Sequence, residues 1–180
     1  MTQVTKAFAS SDRAELVRSE REVIAAFDGV ELDLVAMAAV SNIYRAANAV
    51  RNHMESTVLA RFDLSWSAFV VLWVLRVWGE QESHVLAAEA GITGGTLTGV
   101  VKTMESKGLA QRAQHPTDGR RVVVSLTDKG RDVIDRAFPE FNAHESLVSS
   151  KLSDRARRDL AASLRTIQRT VAELDGHESS

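Results

Sequence analysis

Between Leu32 and Arg61, the apolar residues Leu32, Ala36, Ala39, Ile43, Ala47, Val50 and Met54 recur every three or four positions, which places them in one stripe on a helix. About 30 residues of helix span about 45 Å, more than one small core covers, so the spare length predicts a partner helix, first of all from a second copy of the chain. Upstream, Leu16, Val23, Ile24 and Phe27 fall on one side of an expected helix that Asp12 caps and Asp28-Gly29 ends. Downstream, Leu64–Trp78 (LSWSAFVVLWVLRVW) is apolar on nearly every face, the pattern of a helix buried from several sides; Ser65 or Ser67 can cap it and Gly79 stops it.

Ser83 to Ala90 predicts a short helix ended by Gly91. Thr93 then suits the N-cap of an amphipathic helix, its hydroxyl placed to accept the N–H of Thr96. Leu97, Val100, Val101 and Met104 form the inward stripe of that helix and Gly108 ends it, which leaves Thr96, Thr98, Gly99, Lys102 and Thr103 outward. Ala110–Gln114 is expected to pair with Arg121–Leu126, where Val122, Val124 and Leu126 point one way and Arg121, Val123 and Ser125 the other. Pro116 and Asp118-Gly119 supply the turn between them. Thr127 caps a further helix that Pro139 is expected to kink. The last helix opens at Ser153-Asp154; Leu160, Leu164, Ile167, Val171 and Leu174, spaced 4, 3, 4, 3, form a coiled-coil-like seam that also wants a partner.

Composition narrows the function classes. There is no cysteine, which removes disulfides, thiolate nucleophiles and thiolate metal sites. No apolar run nears the length of a membrane span and the first twenty residues lack a signal-peptide core, so a cytoplasmic location without membrane attachment is expected. The net charge of −2 by itself speaks against nucleic acid, but it is unevenly spread. Residues 102–131 hold seven Lys or Arg against three Asp or Glu, while each flanking stretch is net acidic. A charge cluster of this kind also suits a plain solvated face.

The order short helix, glycine turn, polar-faced helix and basic-tipped hairpin is that of a winged helix-turn-helix. The fold class expected is therefore mainly α with a small β-hairpin wing, a DNA-binding lobe and long dimerisation helices. A helix presenting Thr93, Thr96, Thr98 and Lys102 can meet base edges and phosphates in a major groove of double-stranded DNA. Gly94 and Gly95 let a phosphate approach the helix N-terminus, where N–H groups and the dipole favour an anion. Arg120 at the hairpin tip suits the minor groove, steadied by Asp118, with Arg112, His115 and Arg121 as further DNA-contact candidates. Arg121, on the outer strand face, is expected to meet phosphate or water.

From about Leu32 to Leu174 the chain resembles the multiple antibiotic resistance regulator (MarR) family. The resemblance is carried by ITGGTLTGVVKTMESKGLAQR, similar to the family's recognition helix and following strand, and by DGRRVVVSLTDKG, similar to its wing signature. It implies a homodimer held by the first and last long helices, whose paired winged helices read a pseudo-palindromic operator, and a transcriptional regulator acting as a repressor. Asp118 and Arg120 match the wing's Asp and minor-groove Arg; Thr93, Thr96, Thr98 and Lys102 match the exposed recognition face. Gly99 stands where the family often has a basic residue, so DNA affinity is expected to be modest or to depend more on the wing. The domain reading is an N-terminal extension (1–31), a first dimerisation helix (32–62), the winged lobe (63–131), C-terminal dimerisation helices (132–176) and a frayed tail (177–180).

In such regulators a small-molecule effector sits between the dimer helices and the DNA-binding lobe. Tyr44, Trp66, Phe69 and Trp73, with Asn48 and Arg51 to orient an anion, are the effector candidates here; aromatic residues at helical spacing equally build a core. The five histidines show no metal-ligand spacing, no cofactor is implied, and no nucleophile–base or paired-carboxylate motif points to an enzyme. The rival reading is a winged helix that binds protein instead of an operator.

Overall fold

The computed structural model describes residues 21–23, 25–27, 29–115, 118 and 121–177. The expected N-terminal helix therefore lies largely outside the described residues, Asp12 included; residues 21–23 and 25–26 are helical. The chain divides after His53 into two compact units.

The first long helix, α1, runs Leu34–Thr57, shorter at both ends than the apolar stripe predicts. It starts later because Asp33 caps it, its carboxylate accepting the Ala36 N–H at 2.9 Å. It stops earlier because the chain tightens into a 3-10 turn, Leu59–Phe62, closed by Asp63 in the left-handed conformation at φ 55. Val58 and Leu59 are fully buried there, so the tightening sets two apolar side chains inward in succession.

The second unit contains α2 (Trp66–Trp78), β1 (Gln81–Glu82), α3 (Ser83–Glu89), α4 (Gly94–Ser106), β2 (Ala110–Gln114), β3 (Val122–Leu126), α5 (Asp128–Val148) and α6 (Asp154–His177). Ser65 caps α2 by accepting the Ala68 N–H, and Gly79 at φ 76 ends it. Val71, Leu72 and Val74 are fully buried, and with Leu86, Val101, Met104, Val124 and Ile134 they form the centre of the core. Arg76 pairs with Asp135 at 2.7 Å and Arg61 with Glu140 at 2.6 Å, tying α2 and the 3-10 turn to α5.

The sheet has three antiparallel strands in the order β1-β3-β2. Arg112 lies opposite Val124 and Gln114 opposite Val122, as the hairpin reading expects; Glu82 lies opposite Val123. The strand β1 is absent from the sequence reading, since two polar residues carry no alternation. β3 is the central strand and buries Val123 as well as Val124, one on each face, while Val122 is exposed. Helix α5 runs unbroken through Pro139. Ser153 caps α6, accepting the Ala156 N–H at 3.3 Å. Its seam stands exposed in the single chain, with Leu160 at 50%, Ile167 at 37%, Val171 at 50% and Leu174 at 64%.

Among the described residues no helix is long and apolar enough to cross a membrane.

Candidate nucleic-acid interface

Helix α4 is set by its cap. Thr93 Oγ1 accepts the Thr96 N–H at 3.2 Å and lies 2.9 Å from Thr96 Oγ1, so both hydroxyls are ordered at the helix start. Leu97, Val101 and Met104 are buried against the core. The opposite face presents Thr93, Gly94, Gly95, Thr96, Thr98, Gly99, Lys102 and Thr103, all exposed. Thr98 Oγ1 donates to the Gly94 carbonyl at 2.9 Å and Thr103 Oγ1 to that of Gly99 at 3.1 Å. With these protons engaged, the oxygens face outward as acceptors, suited to amino groups on base edges or to water.

The basic residues divide by partner. Lys102 is exposed, and among the described residues no ion pair engages it. Lys107, which follows α4, is tied to Asp63: its ammonium donates to the backbone carbonyl at 2.6 Å and lies 2.8 Å from the carboxylate. Arg112 pairs with Glu105 at 2.5 Å, and the same carboxylate accepts the Arg112 N–H at 3.2 Å. The side-chain hydrogen bond holds Glu105 below, and Arg112 above, its ordinary pKa.

The Arg121 guanidinium pairs with Glu82 on β1 at 2.5 Å. Its backbone closes the hairpin, the Arg121 N–H donating to the Asp118 carbonyl and its carbonyl accepting from His115 N, each at 2.9 Å. Asp118 and His115 are both half-buried. Arg120, the minor-groove candidate, lies outside the described residues together with Pro116, Thr117 and Gly119. Sequence reasoning missed Glu82 and Ser83, whose hydroxyl donates to the Val122 carbonyl at 3.2 Å; no periodic signal links residues 39 positions apart.

Of the effector candidates, Tyr44, Asn48 and Arg51 are exposed and belong to the unit that ends at His53. Phe69 is a core residue, 4% exposed and stacked on Phe141 with ring centres 4.3 Å apart. Trp66 is half-buried and tilted against Phe141 at 5.9 Å, and Trp73 meets Trp78 edge to face at 5.3 Å. Two concavities beside α4, of about 480 and 330 Å³, share Ser65, Ala68 and Thr103, and none of the six candidates lines either. Among the described residues no group of three or more His, Asp or Glu is placed to hold a metal ion.

A family model described as MarR family matches residues 64–122, which takes in α2 through β2 and the first residue of β3. The HTH-type transcriptional regulator YwaE of Bacillus subtilis (strain 168), itself uncharacterised, is 35% identical over 136 residues, covering 76% of this chain and 80% of that protein. The chain belongs to the MarR family. It is a helix-turn-helix transcriptional regulator of that family. Among solved structures, BpsR of Bordetella bronchiseptica, whose DNA binding is regulated by 6-hydroxynicotinic acid, superposes with a TM-score of 0.68 at 23% identity, over 73% of this chain and 98% of that one. PcaV of Streptomyces coelicolor, solved with its natural ligand, superposes with a TM-score of 0.63 at 22% identity, over 80% and 97%. These likenesses show the MarR winged-helix fold.

Proposed function

We propose that this MarR-family regulator is a homodimeric repressor in the cytoplasm that binds a pseudo-palindromic operator. The observation that carries the reading is the outward face of α4: ordered threonine hydroxyls, glycines at the first turn and Lys102 engaged by no ion pair among the described residues. The two copies of α4 enter successive major grooves about 34 Å apart. Thr93, Gly94, Gly95, Thr96, Thr98 and Lys102 meet the major groove, Arg120 the minor groove, and Arg112, His115 and Asp118 border the wing. Residues 32–62 and 132–176 form the dimer, supported by the exposed seam on α6, and residues 63–131 form the DNA-binding lobe.

A small aromatic acid is the effector class, by likeness to BpsR. Such a ligand releases DNA only by preferring a dimer whose recognition helices miss the groove spacing. The test is retention of genomic fragments by the purified protein, followed by sequencing and footprinting of the recovered duplex. A footprint with two half-sites about 10 base pairs apart is expected. No retained duplex would leave the protein-interaction reading in its place. For the effector, 6-hydroxynicotinic acid and related aromatic acids are titrated while the distance between spin labels on the two α4 helices is measured; an unchanged distance at saturation removes the release mechanism.

A further inference from the structure

Three separate constraints converge on Arg121. Its N–H and carbonyl close the wing loop on Asp118 and His115, and its guanidinium crosses the sheet to Glu82. Glu82 belongs to a strand of only two residues, held to β3 through Val123 and Val124. The Glu82 side chain is 19% exposed against 45% for Arg121, and its Oε2 is fully shielded from solvent with no aligned hydrogen-bond donor among the described residues. The attraction is therefore ionic at short range, with His84 Nδ1 a further 3.4 Å neighbour on the exposed side. If Arg121 swung away to a phosphate, the Glu82 carboxylate, 19% exposed with Arg121 in place, would lose its nearest cation. Removing one partner of a shielded pair costs more than the pair contributes, whereas a phosphate contact at a wet wing is a single screened charge.

We infer that Glu82 is a positioning residue for DNA binding: through Arg121 it fixes the start of β3, while Arg121 itself is not a phosphate contact. The inference deepens the proposed function and rests on it. It also gives β1 a purpose, since two residues contribute little pairing of their own but carry the carboxylate that anchors the wing.

The test compares wild type, Glu82→Gln, Arg121→Ala and the apolar pair Glu82→Leu with Arg121→Met, all as full chains, on the duplex recovered from genomic fragments. Each single variant is expected to weaken binding on the order of tenfold with the dependence of log affinity on log salt unchanged. The apolar pair is expected to recover most of the affinity, because a shielded ion pair is replaceable by packed apolar groups where its role is positional. Independently of DNA, backbone amide exchange at residues 121–124 should quicken in both single variants and slow again in the apolar pair. A salt slope reduced by about one in Arg121→Ala would mean a phosphate contact and overturn the inference. Tighter binding by Glu82→Gln would overturn it too, as it would show Glu82 withholding Arg121 from DNA. If wild type retains no duplex, the operator-binding reading falls while amide exchange still decides the anchor: unchanged exchange in the single variants removes it.

Discussion

Gly130 packs against the backbone of Leu109 so closely that a Cβ added to it would lie 1.9 Å from the Leu109 carbonyl oxygen. The contact explains the Leu-Thr-x-x-Gly run after the wing. Thr127 caps α5 by accepting the Gly130 N–H at 3.0 Å and donates its own proton to the Gly108 carbonyl at 2.6 Å. The Thr127 N–H reaches the Leu109 carbonyl at 3.2 Å. Cap and glycine together lock the start of α5 to the turn between α4 and β2. Gly130→Ala is expected to destabilise by about 3 kcal/mol or more, since the obstacle is backbone and cannot turn aside. Thr127→Ala should cost about 1–2 kcal/mol. Urea unfolding of the purified variants measures both, and a Gly130→Ala midpoint equal to wild type would contradict the packing.

Lys102 and Arg120 should behave alike on DNA and unlike Arg121. Replacing either by Ala removes one cation expected to displace a counterion, so the salt slope is expected to fall by about one unit in each case. Affinity should drop on all duplexes with Lys102→Ala if it meets phosphate alone. With Arg120→Ala the loss should be larger on duplexes carrying an A/T-rich flank, where the minor groove is narrow. Fluorescence anisotropy titrations over a range of salt decide it; a slope equal to wild type removes the residue from the interface.

The helix ends were legible because their chemistry is local. Ser65, Thr93, Thr127 and Ser153 lie within three residues of the N–H groups they accept, and Gly79 and Gly108 end their helices at positive φ. What escaped is long-range. Charge counting finds a basic segment at residues 102–131, but it cannot show that Lys107 is spoken for by Asp63, Arg112 by Glu105 and Arg121 by Glu82. β1 escaped because two polar residues have no period, and with it went the central position of β3 and the burial of Val123. Asp33 was missed as a cap because the apolar stripe runs one residue past it to Leu32.

The Glu105–Arg112 pair makes a prediction in pH. Arg112 lowers the Glu105 pKa in the folded chain, chiefly by the side-chain hydrogen bond. A carboxylate whose folded pKa is depressed stabilises the fold above its unfolded value, and the contribution disappears as pH falls through the folded one. Glu105→Gln should therefore lower stability slightly at neutral pH, leave it unchanged at acid pH where the carboxylate is protonated, and so flatten the fall between them, below about pH 4. The effect should be small, because both side chains are about a third exposed and solvent screens the pair. Urea midpoints measured from neutral to acid pH test the sign; an acid side as steep as wild type would show that the pair contributes nothing.

The seam on α6 separates folding from assembly. Ile167 and Val171 lie exposed on the described chain, so a glutamate at either position meets water in the single chain and should change its stability by only about 0.5 kcal/mol. In a dimer that covers the seam, the same carboxylates would be buried without partners. Ile167→Glu combined with Val171→Glu is therefore expected to raise the dimer dissociation constant by a factor of about 100 or more, with helical content retained. Operator affinity should fall in parallel, because one recognition helix cannot reach both half-sites. Sedimentation equilibrium and circular dichroism on the same samples distinguish the cases. A dimer that persists would place the interface elsewhere, and loss of helix together with loss of dimer would show that α6 needs its partner in order to fold.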